Sequence, residues 1–268
     1  MTSYKTLLKN TGLRFRKQII KPINNTVYIL IIDAHAHIGT DRDGSSQTID
    51  ELKESMAKYG IDASVVFPFD IEGDLIDASK ELLKYKSDSI FPFLRFDPNT
   101  SNPEEIGNLL SNDDFLGVKL HPRSQNFDPL DKRFWPILQR IEDSGKPLLI
   151  HTRKEATPYS DPDRIVCLAD DFPEMKIIIG HFAFASQIAI EKIKTHENLF
   201  LETSVVSSNV VIRLIAQKIG ANKIIFGSDV PMSDQEIEML KIKKSGLSER
   251  EKEMIFSGNL LSLTKPKF

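Results

Sequence analysis

The chain has 268 residues, with 35 Lys and Arg against 38 Asp and Glu, 40% hydrophobic residues, six His and one Cys. That is ordinary globular composition, which excludes disordered and collagen-like chains, and a net charge of −3 argues against a nucleic-acid partner. The lone Cys167 cannot close an intrachain disulfide, so a reducing, cytoplasmic setting is the expectation, and any metal chemistry must use His and carboxylates.

In chain order, residues 1–26 read as a short basic N-terminal extension. Lys5, Lys9, Arg14, Arg16, Lys17 and Lys21 occur there with no acidic residue. The segment lacks the apolar stretch and cleavage site of a secretory signal, and a peripheral helix or frayed arm is expected. No apolar run approaches the ~20 residues that a membrane helix needs. From residue 27 to 268 short apolar runs alternate with helical periodicity. The runs fall at 28–33, 63–69, 90–96, 117–120, 147–150, 176–179, 199–202 and 223–226, and nearly all are apolar on both faces, as buried parallel strands are.

The helical segments between them begin with 48–59, which opens on the capping-box pattern Thr48-x-x-Glu51. Segments 74–85, 103–110, 131–143, 162–170, 186–194, 207–219 and 233–243 follow, and a last helix over 248–256 is expected to end near Gly258. Eight strand–helix units over ~235 residues fit a single (β/α)8 TIM barrel of the α/β class. A doubly wound open sheet has fewer strands and often a Gly-rich first turn, and no Gly-x-Gly-x-x-Gly or P-loop pattern occurs.

Active sites of such barrels lie at the C-terminal strand ends. Of the six histidines, five fall there: His35 and His37 after strand 1, and His121, His151 and His181 at the ends of strands 4, 5 and 6. Strand 8 ends in Ser228-Asp229-Val230-Pro231, and only His196 lies elsewhere. A lone strand-end His is usually a hydrogen-bonded structural residue, and Ser-Asp-x-Pro is usually a helix start. Five histidines on one rim are not scattered structural residues, and they point to a metal site. On an extended strand His35 and His37 point to one side and can grip one ion. A third imidazole and a carboxylate from other strands would complete a nitrogen and oxygen set suited to Zn²⁺, and also to Mn²⁺, Co²⁺ or Fe²⁺.

These residues resemble the amidohydrolase superfamily, and most closely its amidohydrolase-related branch, which includes aminocarboxymuconate-semialdehyde decarboxylase-like enzymes. The resemblance runs through Asp33-Ala34-His35-Ala36-His37, Lys119-Leu120-His121-Pro122, Ile150-His151-Thr152, Gly180-His181, Gly227-Ser228-Asp229 and Gly258-Asn259. It implies that His35, His37, His151 and Asp229 bind one divalent metal, with Asp229 also accepting a proton. It implies that His181 is the catalytic imidazole, and that His121 binds substrate. A second metal would be held through His181 and a carboxylated Lys119. The competing reading of Lys119 is a barrel-interior lysine paired with an acid such as Glu202. The family's terminal motif continues to an Arg-Leu pair, whereas residues 258–263 contain no arginine.

The function expected on this resemblance is a metal-dependent hydrolase that attacks a C–N or C–O bond of a small molecule with activated water. The alternative is a metal-dependent decarboxylase or lyase. Arg95, Arg123 and Arg153, each near a strand end, could hold a substrate carboxylate there, or be ordinary surface pairs. A barrel that binds metal or metabolite without turnover, or a scaffold whose basic arm docks a partner, is opposed by the intact ligand set. A homo-oligomer is compatible with every reading.

Overall fold

The computed structural model describes residues 29–69, 73–154 and 158–265. The expected basic extension, 1–26, lies outside them, as does residue 28, where the first strand was expected to begin. Eight parallel strands form the barrel: β1 (Ile32–Thr40), β2 (Ala63–Pro68), β3 (Ile90–Pro92, then Leu94–Arg95), β4 (Val118–Leu120), β5 (Leu148–Ile150), β6 (Ile177–Ile179), β7 (Leu199–Glu202) and β8 (Ile224–Ile225). β3 changes neighbour at Phe93, whose N–H goes to Val66 on β2 at 2.9 Å while the Leu94 N–H goes to Gly117 beside β4 at 2.9 Å. The ring closes between β8 and β1 through Ala34 N–H to Phe226 O at 2.9 Å, Asp229 N–H to His35 O at 2.8 Å, and the parallel bridge Ala36–Val230.

Alternation along the strands sorts side chains into two cores. Leu149, Ile178 and Ile225 fill the barrel interior, whereas Leu148, Ile150, Ile177, Ile179 and Ile224 pack under the helices. Lys119 lies between outward Val118 and Leu120 and pairs with inward Leu149, so it enters the interior as expected. Gly117 is required by close packing: a Cβ there would lie 2.5 Å from the Phe93 ring.

The helices follow the sequence pattern closely. Ile49–Tyr59 is capped by the Thr48–Glu51 box, and Leu75–Leu82, Pro103–Leu110, Asn209–Ile219 and Gln235–Lys243 are capped by Asp74, Asn102, Ser208 and Asp234. Three expectations are corrected. Segment 162–170 is two short helices, Pro162–Ile165 and Leu168–Asp171, rather than one. The last helix does not stop at Gly258, which has φ −57°, and continues as Asn259–Thr264. There Asn259 Nδ2 donates to Ala221 O at 2.8 Å and Ile224 O at 2.6 Å, tying this helix to β8, while Leu260, Leu261 and Leu263 join the interior cluster.

The third correction concerns the site. β1 runs through the histidines to Thr40 instead of ending at residue 33. Ile32 and Ala34 face the interior, yet Ala36 and Ile38 face the helices. The register irregularity between Asp33 and Ala36 reverses the parity, as a bulge does, and brings His35 and His37 inward above Ile32 and Ala34.

Candidate metal centre and active site

His35 sits at the centre of the cluster, fully buried. Its Nδ1 lies 3.0 Å from Glu202 Oε2 on β7. Its Nε2 lies 3.1 Å from Asp229 Oδ1 and 3.0 Å from Lys119 Nζ. His37 Nε2 approaches the same Asp229 Oδ1 at 3.1 Å, and its ring stacks on Phe69 with centroids 4.7 Å apart. From the other side His181 Nδ1 stands 3.9 Å from Asp229 Oδ2. His151 enters through His181, its Nδ1 2.8 Å from His181 Nε2, and stacks on His121 with centroids 3.6 Å apart. His196 is elsewhere, bonded to Asp170 at 3.0 Å.

Asp229 itself adopts φ +64°, a left-handed conformation that Asp and Asn tolerate better than most residues. The turn around it is held by Asp33, a buried carboxylate that receives Ser228 N–H at 2.8 Å, Ser228 Oγ–H at 2.6 Å and Gln235 Nε2–H at 2.8 Å. Gln235 in turn accepts from Ser55 Oγ at 2.6 Å. Gly227 is fixed by close approach, since a Cβ there would lie 2.7 Å from Glu202 Cδ. Burial pushes the His35, His121 and His151 pKa values well below the usual imidazole range, and nearby cations reinforce it. Burial also brings His181 down to about 4, although Asp229 opposes it. These imidazoles are therefore neutral near pH 7 and keep a lone pair each. Burial would raise Asp229, but His181 and His37 outweigh it and hold the carboxyl below its ordinary value.

This donor set fits a divalent cation. His35 Nε2 and His37 Nε2 both lie 3.1 Å from Asp229 Oδ1, a convergence of two imidazole nitrogens on a carboxylate oxygen that a cation among them would satisfy. His37 Nδ1 and His151 Nε2 are buried ring nitrogens without a hydrogen-bond partner. Among the described residues the one group with ligand atoms all within 4.8 Å of one another is His35, His181 and Asp229. That grouping differs from the expected set of His35, His37, His151 and Asp229. Lys119 is also placed differently from expectation: its Nζ contacts His35, and the His35 ring stands between it and Glu202. Burial pushes its pKa well down.

The cluster forms the floor of a cavity of about 770 Å³. Arg42, Arg95, Arg123 and Arg153 line it, and Phe69, Phe184, Val205 and Met232 supply apolar wall. Arg95 is held by its Nη1 on Pro68 O at 2.9 Å and is buried, not a surface pair. Arg42 and Phe184 carried no signal in the sequence, and Ser204 and Gln235 were likewise missed, because each reaches the site across the fold and not by spacing along a strand.

Residues 32–259 match the family model described as amidohydrolase. The chain belongs to the amidohydrolase family. Solved structures that resemble this chain include 5-carboxyvanillate decarboxylase from Sphingomonas paucimobilis, with TM-score 0.71 and 16% identity over 90% of this chain and 100% of that one. A dihydroxybenzoic acid decarboxylase from Polaromonas sp. JS666, solved with manganese and 2-nitroresorcinol, has TM-score 0.69 and 15% identity over 89% and 97%. A Pseudomonas putida protein assigned as a 2-pyrone-4,6-dicarboxylic acid hydrolase has TM-score 0.70 and 15% identity over 89% and 98%. These likenesses establish the barrel fold of the chain. No curated protein matches it in sequence. Among its described residues no helix is long and apolar enough to cross a membrane.

Proposed function

We propose that this amidohydrolase-family barrel, over residues 27–268, is a divalent-metal-dependent decarboxylase acting on a small aromatic carboxylate. One observation carries the reading: four arginines and the His–Asp cluster line a single cavity whose remaining wall is Phe69, Phe184, Val205 and Met232 together with Asp41, Asp43 and Ser124. Guanidinium forks bind carboxylates bidentately, and Phe69 and Phe184 offer faces to a planar ring. The decarboxylase neighbours agree with this choice over the hydrolase expected from sequence.

His35, His37, His151 and Asp229 would hold one ion. Mn²⁺ is the first to test, given the manganese in the Polaromonas structure, with Zn²⁺ next. When bound, the ion supplies a Lewis acid that polarises the substrate's oxygens. The two oxygens of Asp229 divide the work. Oδ1 faces His35 and His37, and Oδ2 faces His181. Oδ2, ionised at rest, takes a proton from solvent in the cavity and passes it to the ring carbon that bears the carboxylate. The C–C bond then breaks, its electron pair restores the ring, and CO2 leaves. The next proton also comes from solvent, beside the neutral His181, whose Nδ1 lies 3.9 Å from Oδ2. Arg123 and Arg153 orient the substrate from the wall, and His121 supports His151 through its stacked ring.

Hydrolysis of a carboxylated lactone is the second reading, favoured by the likeness to the Pseudomonas putida protein. The metal-loaded enzyme should be offered hydroxybenzoate-type carboxylates and pyrone carboxylates, with CO2 release and ring opening followed separately. The expected result is CO2 release that stops on chelation and returns with metal. Ring opening without CO2 would overturn the decarboxylase reading.

A further inference from the structure

Backbone strain gathers at one side of the cavity mouth. Of the nine non-glycine residues with positive φ among those described, seven lie on the loops that follow β6, β7 and β8, which are neighbouring strands of the barrel. The loop after β6 is the extreme case. His181, Phe182, Ala183, Phe184 and Ala185 have φ between +47° and +54°, a complete left-handed turn. Residues other than glycine, Asn and Asp enter this region at a steric cost, and then singly, not in runs. Val205, after β7, has φ +63°, where a β-branched side chain is an outlier.

Such conformations persist only where the surroundings impose them. Here the clamps lie on the flanks. Thr152 Oγ donates to Gly180 O at 2.6 Å, Ser186 N–H donates to Ala183 O at 3.0 Å, and Phe182 and Ala183 are buried under the helices. Beyond Val205, Val206 is buried and its carbonyl accepts Lys241 Nζ at 2.8 Å. The side chains carried between these clamps bury little themselves. Phe184 is 42% exposed and Val205 is 47% exposed, so folding gains little from either one and still bears the strain beneath it.

Both side chains line the cavity above the histidines. Phe69, the other cavity ring, is buried and already has one face on His37. Phe184 makes one ring contact among the described residues, an inclined one with His181 at 6.3 Å, and leaves apolar ring surface open to the cavity. We propose that Phe184 and Val205 are specificity-determining residues: together they form the wall against which a flat ring lies, and the left-handed backbone that carries them is what brings them to the cavity. A flat ring packs on Phe184 with a closeness that a puckered, saturated ring of the same size does not reach. The inference rests on the proposed reading that the cavity takes a ring-bearing carboxylate, and it holds whether that ligand loses CO2 or is hydrolysed.

The test compares 2-hydroxybenzoate with its saturated counterpart, 2-hydroxycyclohexanecarboxylate, by calorimetric titration in the presence of Mn²⁺, alongside thermal denaturation. Wild type should bind the flat ring about 3- to 10-fold more tightly. Phe184→Leu should bring that ratio below about twofold, whereas Phe184→Tyr should keep it. Val205→Gly should weaken both ligands about 3- to 10-fold and yet raise Tm by about 2–4 °C, because glycine adopts positive φ without the steric cost. A lower Tm in Val205→Gly, an unchanged ratio in Phe184→Leu, or a wild type that binds the two ligands equally or not at all would each overturn the proposal. A flat-ring preference set by Phe184, with no CO2 released from any bound carboxylate, would support it and count against the decarboxylase reading instead.

Discussion

Asp229→Asn is expected to lower kcat by about 10³-fold, within the range a positioned proton donor contributes, while the protein keeps its fold and much of its metal. The backbone argument for retained structure is specific. Asp229 has φ +64°, a conformation that Asn accepts as readily as Asp. Its N–H to His35 O, at 2.8 Å, and the Asp33–Ser228 contacts beside it do not depend on the carboxylate. An amide oxygen can still face His35 and His37 in the place of Oδ1, but an amide at the other position cannot hold and release the proton facing His181. Steady-state kinetics with metal analysis check this. A kcat within about threefold of wild type would remove Asp229 from the proton-transfer role.

His35→Ala combined with His37→Ala is expected to abolish turnover and to leave less than about a tenth of an equivalent of metal in the purified protein. It should also cost stability, and the two positions differ in how. His37 approaches the cavity and has one unpartnered ring nitrogen. His35 lies between Glu202 and Lys119, and its removal leaves two buried polar groups without the ring that now contacts each. Leaving a buried polar group unpaired typically costs about 1–3 kcal/mol, and the two together correspond, for a domain of this size, to a fall in Tm of about 10 °C. Thermal denaturation of the double variant and of His37→Ala alone separates the terms. Most of the loss of Tm should follow His35. Equal losses from the two positions would contradict the central placement of His35.

Much of the barrel was readable in the sequence because its signals are local. Eight apolar runs each fill a buried strand, and Thr48, Asp74, Asn102 and Asp234 mark helix starts within a single turn of chain. Strand-end placement of His35, His37, His121, His151, His181 and Asp229 followed from the same runs, and the structure gathers them around one cavity. The end of β1 was not readable. A strand whose inward residues change from Ile32 and Ala34 to His35 and His37 shows no regular alternation, because a bulge reverses its parity. Gly258 misled for a related reason: glycine often ends a helix, but here Asn259 continues it by bonding to Ala221 and Ile224 far away in sequence.

The polar network around the histidines was the least accessible part. Glu202 was expected to face Lys119, and the structure places His35 between them. Asp33, Ser204 and Gln235 act through partners up to 202 residues away. No periodicity connects such residues, since they meet only when β1, β7 and β8 close the ring. The arginines fall between these cases. Arg95, Arg123 and Arg153 were visible as strand-end cations, whereas their convergence with Arg42 on one cavity needed the fold.

The most direct test of the account is a crystal structure of the protein loaded with Mn²⁺, with the ion located by its anomalous scattering. The account predicts one strong peak per chain, in direct contact with His35 and Asp229 on the floor of the arginine-lined cavity, joined there by His37 and His151. A peak elsewhere on the molecule, or no peak at that cluster with Mn²⁺ in excess, would contradict it.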